Sequence, residues 1–551
     1  MFKLVNLILL SNLIFLNSAA AANKDNFPKV GDYLIAEISS QESDYEIANR
    51  HYLRLIKKDK KNVSLLTDIA KNNLLNKKID TANKYYQTLL KIGCSNLNSE
   101  CFNFLQSTGP MISGVIYLKK NRGDRALKAF SKIENINDKK VYPELLKAWS
   151  LANFFTYKES ISILDNIKSE DKFGDIIMYK ALIYDLVNEI ELANIFYEQA
   201  ISSNKNINLI NYYLNFLHRN NKDSEKKAFL QSLYADTSFE ILINNEIFKN
   251  ERLLKNRLNG VGLVLYEASQ KLGFENINLS KSILNIADYA YPDLYEIDFL
   301  SASLLHSQEL TNQALKLYES IPNNHYLSPI SIIQRANILN LNNLEDKAII
   351  VLKDYLSEKQ SFKVQMTLGD HYRYKFDWIM AQATYGNIIE NEKYILDPNI
   401  WNAYYRRGIA YERDKQWDLA EKDFMIALKY NSNQPDVLNY LAYSWIDNDI
   451  NMLKAKIMIE LALEQKPDDA YFVDSLAWYY FKVSNYEQAN SLLSYATYLA
   501  PSDPIINEHY GDALWKVGKF IEARYQWNRA LDLEPEEDQA KKIKEKLIKG
   551  Y

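Results

Sequence analysis

Small and large apolar residues recur in the C-terminal third of the chain at an interval of 34 residues. Pro467, Pro501 and Pro535 are spaced by this interval, and several alanines between them keep the same spacing. Within each unit a small residue is followed 12 positions later by another small residue, and a large apolar residue comes four positions after that. Two antiparallel helices need small side chains where their backbones approach and large side chains in the gaps beside them. The pattern therefore predicts a row of helical hairpins, each ended by a turn near the proline.

These residues resemble the tetratricopeptide repeat, which has small residues at positions 8, 20 and 27, a large residue at 11, an aromatic residue at 24 and proline at 32. The best-matching unit contains residues 473–477 followed by Tyr480, Ala489, Leu493, Ala496 and Pro501. The next unit contains Gly511, Leu514, Ala523, Trp527, Ala530 and Pro535. One such hairpin cannot bury its whole apolar face, so it must stack on a neighbour.

Extending the template toward the N-terminus gives 13 candidate units. Their position-8 residues are Ala36, Ala70, Gly114, Ala148, Ala181, Ala268, Ala302, Ala336, Gly369, Gly408, Ala442, Ala477 and Gly511. Position 20 tests the alignment more strictly, and it carries alanine at 48, 82, 126, 193, 314, 348, 381, 420, 489 and 523 and serine at 160 and 280. In the Ala442 unit, Ala455 fits only with a one-residue insertion after Trp445. The resemblance implies an all-α fold, an α/α superhelical solenoid of about 13 hairpins with a C-terminal capping helix.

Departures from the repeat divide the chain into five segments. They are a signal peptide at 1–22, a degenerate N-terminal array at 23–201, an irregular helical junction at 202–259, a C-terminal array at 260–535 and a capping helix at 536–551. The junction keeps helical patterns at 207–217, 225–233 and 239–254. The last segment begins with acids and ends with lysines, which complements a helix dipole, and Gly550 suits its C-terminal end.

The first 22 residues have the pattern of a bacterial secretory signal. Lys3 provides a positive start, residues 4–16 are mostly apolar, and the small residues 18–22 offer a cleavage site. The apolar run is 13 residues long, whereas a membrane-spanning helix needs about 20. We therefore expect a cleaved signal and an exported, soluble mature protein. A retained N-terminal anchor is the alternative.

The chain has two cysteines, Cys94 and Cys101, in a polar stretch between two helical patterns. In an oxidising compartment an even number of cysteines suggests a disulfide, which here would close a short loop. Two unpaired thiols are the alternative. We expect no metal site, because the spacing is not Cys-x-x-Cys and no histidine lies near.

Composition and charge argue against several classes of function. Hydrophobic residues make up 47% and charged residues 25%, which is typical of a folded globular protein, and the scarcity of glycine (15) and proline (12) argues against turn-rich β folds. The net charge of −4 provides no basic excess for nucleic acid. The sequence contains no HExxH, GxGxxG, GxxxxGK[ST] or GxSxG motif. We therefore expect no enzymatic activity, no cofactor and no nucleic-acid partner.

In the resembled family, ligands commonly lie in a concave groove formed by the first helix of each unit, at positions 2, 5, 9 and 12. Carried over to the last four units, these positions predict a peptide-binding groove lined by Asn402, Tyr405, Asn439, Tyr443, Tyr471, Asp474, Trp478, Phe481, Glu508, Asp512 and Trp515. Such a lining can bind an extended peptide by stacking, backbone hydrogen bonds and contacts with basic side chains. The alternative is that Trp478, Phe481 and Trp515 pack between consecutive units.

The overall layout resembles exported tetratricopeptide-repeat proteins of Gram-negative bacteria, particularly alphaproteobacteria. The resemblance implies a non-enzymatic binding scaffold but does not specify its task. Our first hypothesis is that the chain binds protein or peptide partners in the periplasm or at the outer membrane and assists envelope assembly. No later segment is long and apolar enough to cross a bilayer, so any association with the envelope is expected to be peripheral. The alternative is a module of a polysaccharide or peptidoglycan system, in which the aromatic groove stacks on sugars.

Overall fold

The computed structural model describes residues 27–94, 99–133, 136, 140–167, 175–233, 242 and 251–551. In these ranges the regular elements are α-helices, and they form two compact units that divide between residues 338 and 339. The predicted signal peptide at 1–22 lies outside the described residues.

The N-terminal unit is built mainly from antiparallel helical hairpins. Its helices are α1 Phe27–Gln41, α2 Tyr45–Ile56, α3 Val63–Leu75, α4 Ile79–Ile92, α5 Ser99–Gln106, α6 Thr108–Lys119, α7 Gly123–Phe130, α8 Val141–Leu151, α9 Tyr157–Asp165, α10 Asp175–Leu186, α11 Ile190–Ser203, α12 Ile207–Arg219, α13 Asp223–Leu233, α14 Arg257–Leu272, α15 Ile277–Ala290, α16 Tyr295–Ser307, α17 Thr311–Glu319 and α18 Ser328–Leu341.

The C-terminal unit continues with hairpins of more regular length. Its helices are α19 Glu345–Glu358, α20 Phe362–Tyr374, α21 Trp378–Ile389, α22 Ile400–Arg413, α23 Trp417–Tyr430, α24 Pro435–Asp447, α25 Met452–Gln465, α26 Ala470–Lys482, α27 Tyr486–Leu499, α28 Pro504–Lys516, α29 Phe520–Asp532 and α30 Glu537–Lys549.

In the hairpins within each unit, small residues at positions 8 and 20 lie where the two helices approach each other. The position-8 and position-20 residues predicted from the sequence are all buried. Ser160, at position 20, donates a hydrogen bond of 2.8 Å to the carbonyl of Ala148 at position 8. A Cβ atom added to Gly408 would lie 2.6 Å from the ring of Phe424 at position 24, which is closer than packed atoms approach. The prediction of an all-α solenoid of helical hairpins is confirmed.

The one-residue insertion in the Ala442 unit lies in a turn. Among the described hairpins, the turn typically contains one residue with positive φ, such as Lys415 at 62° and Ser484 at 63°. The turn after α24 contains two, Asp449 at 58° and Asn451 at 49°. The insertion therefore lies beyond the end of α24, not directly after Trp445. A residue inserted inside a helix would rotate all following side chains by about 100°, whereas the turn absorbs it and Ala455 stays fully buried.

In the N-terminal unit the hairpin of α14 and α15 packs against helices that come much earlier in the sequence. Helix α14 contacts α6 and α8, and α15 contacts α3, α4 and α6. The buried amide of Asn285 donates to the carbonyls of Leu74 and Leu75 at 3.0 Å, and Lys77 pairs with Asp288 at 2.7 Å. The repeat pattern assigns most of this hairpin to the predicted C-terminal array at 260–535, whereas its contacts place it in the N-terminal unit. The predicted segments follow the repeat pattern, whereas the two compact units divide between residues 338 and 339.

The described part of the predicted junction contains two complete helices, and the predicted cap forms a helix as well. The stretches 207–217 and 225–233 correspond to α12 and α13. Most of the stretch 239–254 lies outside the described residues, and residues 251–254 do not form the predicted helix. The capping segment forms α30, which ends at Gly550 with φ of 84°. A positive φ at this position is favourable for glycine, which lacks a Cβ atom.

Candidate functional site

The first helices of the last four repeats, α22, α24, α26 and α28, form one side of the C-terminal unit. Helix α26 lies between α24 and α28 and packs against both. This side curves inward, because the rings of Tyr443 and His509 come from repeats that are not adjacent in sequence and yet have centroids 6.4 Å apart. We call this surface the inner groove. Every predicted groove residue lies on one of these four helices.

The centre of the inner groove contains a buried pair of Asp474 and His509. The two carboxylate oxygens of Asp474 lie 2.9 and 3.1 Å from Nδ1 of His509, and the side chains are 7% and 8% exposed. Burial alone would lower the pKa of His509. The charge and hydrogen bonding of Asp474, together with the charges of Asp512 and Glu508, instead raise that pKa above its ordinary value. Asp474 is therefore paired within the chain.

Two of the predicted aromatic residues form a stack with the same histidine. The Trp478 ring lies parallel to His509, with centroids 4.1 Å apart, and parallel to Phe481, with centroids 4.8 Å apart. The indole nitrogen of Trp478 is 3.4 Å from a carboxylate oxygen of Asp447. Trp478 and Phe481 are both buried. Together with His509, their rings connect α26 to α28 along the inner groove.

The two predicted carboxylates on α28 contact the capping helix. Lys546 of α30 lies 2.7 Å from a carboxylate oxygen of Glu508 and 2.6 Å from one of Asp512. The other oxygen of Asp512 accepts a hydrogen bond of 2.9 Å from Trp527, and that of Glu508 accepts one of 2.7 Å from Gln539. Burial raises the pKa of Asp512 to about 6, although the charge of Lys546 opposes the shift.

Trp515 and the C-terminal tyrosine complete this end of the groove. The Trp515 ring is half-buried, 5.3 Å from the Trp527 ring, and the backbone of Gly550 lies against it so closely that an added Cβ would overlap the indole. The Tyr551 ring meets Phe481 edge to face, with centroids 5.3 Å apart. The C-terminal segment therefore lies on the groove residues of the last two repeats.

The remaining predicted residues are less enclosed. Asn402 accepts a hydrogen bond of 3.0 Å from Arg406, and Tyr405 packs among aromatic rings of its own and the next repeat. Burial raises the pKa of Tyr443, and the nearby charges of Asp474, Asp447 and Glu508 add to the shift. The side-chain oxygen of Asn439 is buried and has no hydrogen-bond partner among the described residues. Tyr471 is 59% exposed, at the rim.

Sequence reasoning missed four residues that organise the site: Asp447, His509, Lys546 and Tyr551. His509 follows Asp474 by 35 residues, which is one repeat plus one position, so the two face each other on adjacent first helices. This spacing could have been used to predict the pair from the sequence. No comparable signal existed for Lys546, because α30 is outside the repeat template and its rotation about its own axis depends on how Ile543 packs against Trp527.

Cys94 and Cys101 form a disulfide in the structure, and their Cα atoms are 6.0 Å apart. This separation lies within the usual range for disulfides. The pair belongs to the N-terminal unit and joins the end of α4 to α5. None of the helices in the part of the chain that the structure describes has the length and apolar composition needed to cross a bilayer.

Residues 475–538 match the tetratricopeptide repeat family, and no curated protein matches the chain. Solved structures with similar helical architecture include a tetratricopeptide repeat protein from Parabacteroides merdae, 16% identical, with 46% of this chain and 97% of that chain covered and a TM-score of 0.38. Yeast Tom70 is 16% identical over 88% of this chain and 95% of its own, with a TM-score of 0.36. A chain of the APC/C hetero-tetramer Cut9–Hcn1 is 12% identical, with 97% of this chain and 98% of that chain covered and a TM-score of 0.37.

Proposed function

We propose that this chain is a non-enzymatic scaffold whose inner groove binds a segment of a protein partner. The tetratricopeptide pattern of residues 475–538 supports a recognition role. The groove itself presents the groups that such recognition uses: aromatic rings that provide contact area, and carboxylates that accept hydrogen bonds from cationic side chains.

The observation that carries the proposal is that the groove already holds a chain segment. Residues 536–551 contact α28 and α26 through a lysine between two carboxylates, a glutamine hydrogen bond and a tyrosine on a phenylalanine ring. Each of these contacts uses the side chain of a predicted groove residue. The groove therefore has the shape and charge to receive a peptide segment.

The segment also reaches the end of α22, where Glu536 lies 3.6 Å from Arg413, and α22 and α24 carry further residues of the inner groove. There the buried side-chain oxygen of Asn439 has no donor among the described residues, and an unpaired buried amide oxygen favours a ligand that supplies one. Tyr443 lies one turn further along the same helix, and Tyr405 lies on the first helix of the preceding repeat. A bound partner segment could extend along α22 and α24 with its backbone amides facing Asn439.

Site-specific photo-cross-linking in intact cells tests the groove assignment. A photoreactive phenylalanine analogue in place of Tyr443 is expected to give a discrete adduct with another protein, identified by mass spectrometry. We expect the amide oxygen of Asn439, one turn from Tyr443, to accept a hydrogen bond from the partner. Asn439→Ala should therefore lower the adduct yield at least fivefold without loss of helicity by circular dichroism.

The matched control places the same analogue at Tyr498, which is 79% exposed on the second helix α27, away from the inner groove. Equal adducts from both positions, or a yield unaffected by Asn439→Ala, would show that the groove is not the binding surface. Glycan binding by the purified chain without any protein adduct would instead favour the polysaccharide or peptidoglycan function.

The proposal includes export to the periplasm or envelope, with a role in envelope assembly. It is supported by the signal-like pattern of residues 1–22 and by the disulfide between Cys94 and Cys101, a bond that persists in oxidising compartments. Fractionation and N-terminal sequencing are expected to recover a periplasmic chain that begins near residue 23, with no thiol labelled before reduction. A full-length cytoplasmic chain with two reactive thiols would contradict export.

A further inference from the structure

We infer that residues 536–551 are a displaceable occupant of the inner groove, and that the partner segment which replaces them must carry a lysine or arginine for the Glu508–Asp512 pair and an aromatic ring for Phe481. This inference rests on the proposed function, because it specifies the partner chemistry that the groove accepts.

The requirement for a cation follows from the two carboxylates. Glu508 and Asp512 have side chains that are 9% and 1% exposed, and Lys546 lies between them within 2.7 Å of both. Their remaining oxygens accept hydrogen bonds from Gln539 and Trp527. A segment that removed Lys546 without replacing its charge would leave two buried carboxylates close together and unpaired, which is strongly unfavourable. A competing segment must therefore bring a cationic side chain to the same point.

The requirement for an aromatic ring follows from the neighbouring stack. The rings of His509, Trp478 and Phe481 are parallel and consecutive, and Tyr551 meets the Phe481 end of this stack edge to face. The ammonium groups of Lys516 and Lys546 lie 4.6 and 5.0 Å from the Tyr551 ring centroid. An aromatic ring here gains both ring packing and cation–π attraction, which an aliphatic side chain cannot provide.

The contacts of α30 allow it to leave without unfolding the repeats. Its single fully buried side chain is Ile543, whereas α28 buries eight residues between its neighbours. The residues of α30 that flank Ile543 on the contact face are half-buried, and Ile548 is 79% exposed. An element with so few buried apolar contacts belongs to the least stable part of a structure and opens first.

A competition experiment with the full chain tests the inference. The probe is a fluorescent synthetic peptide of residues 536–551, titrated into the wild-type chain and into Lys546→Ala/Tyr551→Ala. Because the variant holds its own segment more weakly, it is expected to bind the peptide at least tenfold more tightly than the wild type. Lys549→Ala, which changes an exposed lysine of the same helix, is the matched control and should bind like the wild type.

The peptide also tests the partner chemistry directly. A peptide with alanine in place of the lysine equivalent to Lys546, or of the terminal tyrosine, is expected to bind the weakened chain at least tenfold less well. Equal affinity of the wild-type and weakened chains for the peptide, or no binding by either, overturns the inference. Cross-linking at position 443 does not depend on this result, so failure of the inference is distinguishable from failure of the proposed function.

Hydrogen exchange on the wild-type chain provides a test that needs no variant. Backbone amides in α30 are expected to exchange at least tenfold faster than those in α29, since α30 detaches while the hairpin of α28 and α29 stays folded. Equal protection of the two helices would show that the segment is a fixed part of the fold and would overturn the inference.

Discussion

Replacing Trp527 with alanine is expected to lower the free energy of unfolding of the C-terminal unit by about 3–5 kcal/mol, the usual cost of removing a large buried aromatic side chain. Trp527 is fully buried, and its ring fills the space that Gly511 leaves open on α28. The substitution opens a cavity between α28 and α29 and also removes the hydrogen bond to Asp512. Urea unfolding followed by circular dichroism measures the loss, and hydrogen exchange locates it in residues 504–549.

The matched control for this prediction is Tyr525→Ala. Tyr525 lies on the same helix two residues earlier but is 64% exposed, so its removal should change the free energy of unfolding by no more than about 0.5 kcal/mol. Similar losses from the two substitutions would mean that helix propensity, and not the packing of position 24 on position 8, determines the stability of this repeat.

Replacing Asp474 with alanine is expected to destabilise the C-terminal unit by about 3–5 kcal/mol near pH 6, the cost of breaking a buried ion pair and leaving one partner. His509 would remain buried against Trp478 without its counter-ion. The aromatic stack should loosen as well, because the imidazole that it contains would lose the hydrogen bond that fixes its orientation. Denaturant unfolding followed by tryptophan fluorescence reports on both changes.

The pH dependence distinguishes this ion pair from a neutral hydrogen bond. Because the folded pKa of His509 is raised above its unfolded value of about 6.5, its stabilising contribution is fully present below that value and is lost as the pH rises through the folded pKa. The difference in stability between the wild type and Asp474→Ala should therefore be largest near pH 6 and decrease toward pH 8. Burial raises the pKa of Asp512 from 3.8 to about 6, so the ionisation of Asp512 lowers the stability of the folded state as the pH rises between these two values, below the range in which His509 loses its proton.

His509→Gln provides the control for the titration, since glutamine can donate a hydrogen bond to Asp474 but cannot acquire a charge. This variant should lose most of the dependence of stability on pH between 6 and 8. If Asp474→Ala is equally destabilising at pH 6 and pH 8, His509 is not charged in the folded protein and the pair acts only as a neutral hydrogen bond.

The candidate site was only partly predictable. The repeat template placed all the groove residues on the correct helices, since positions 2, 5, 9 and 12 of a helix share a face. It did not predict which of them already have partners. Asp474 is paired with a residue of the following repeat, and Glu508 and Asp512 with one of the capping helix. The spacing of 35 residues indicates the pair of Asp474 and His509, whereas the pairings with Lys546 depend on the position and rotation of the capping helix, which a single-repeat pattern does not contain.

The sequence by itself determined the hairpins. Positions 8, 20 and 24 lie within 16 residues of one another, so small residues such as Ala148 and large ones such as Phe424 specify the contact between two adjacent helices wherever they recur. Only the tertiary structure decided that the hairpin Arg257–Ala290 packs against much earlier helices, with hydrogen bonds that span, for example, 107 and 211 residues. It also decided that residues 536–551 lie on the inner groove. The physical reason is that local packing fixes each repeat, whereas these long-range contacts depend on small rotations between repeats that add up along the array.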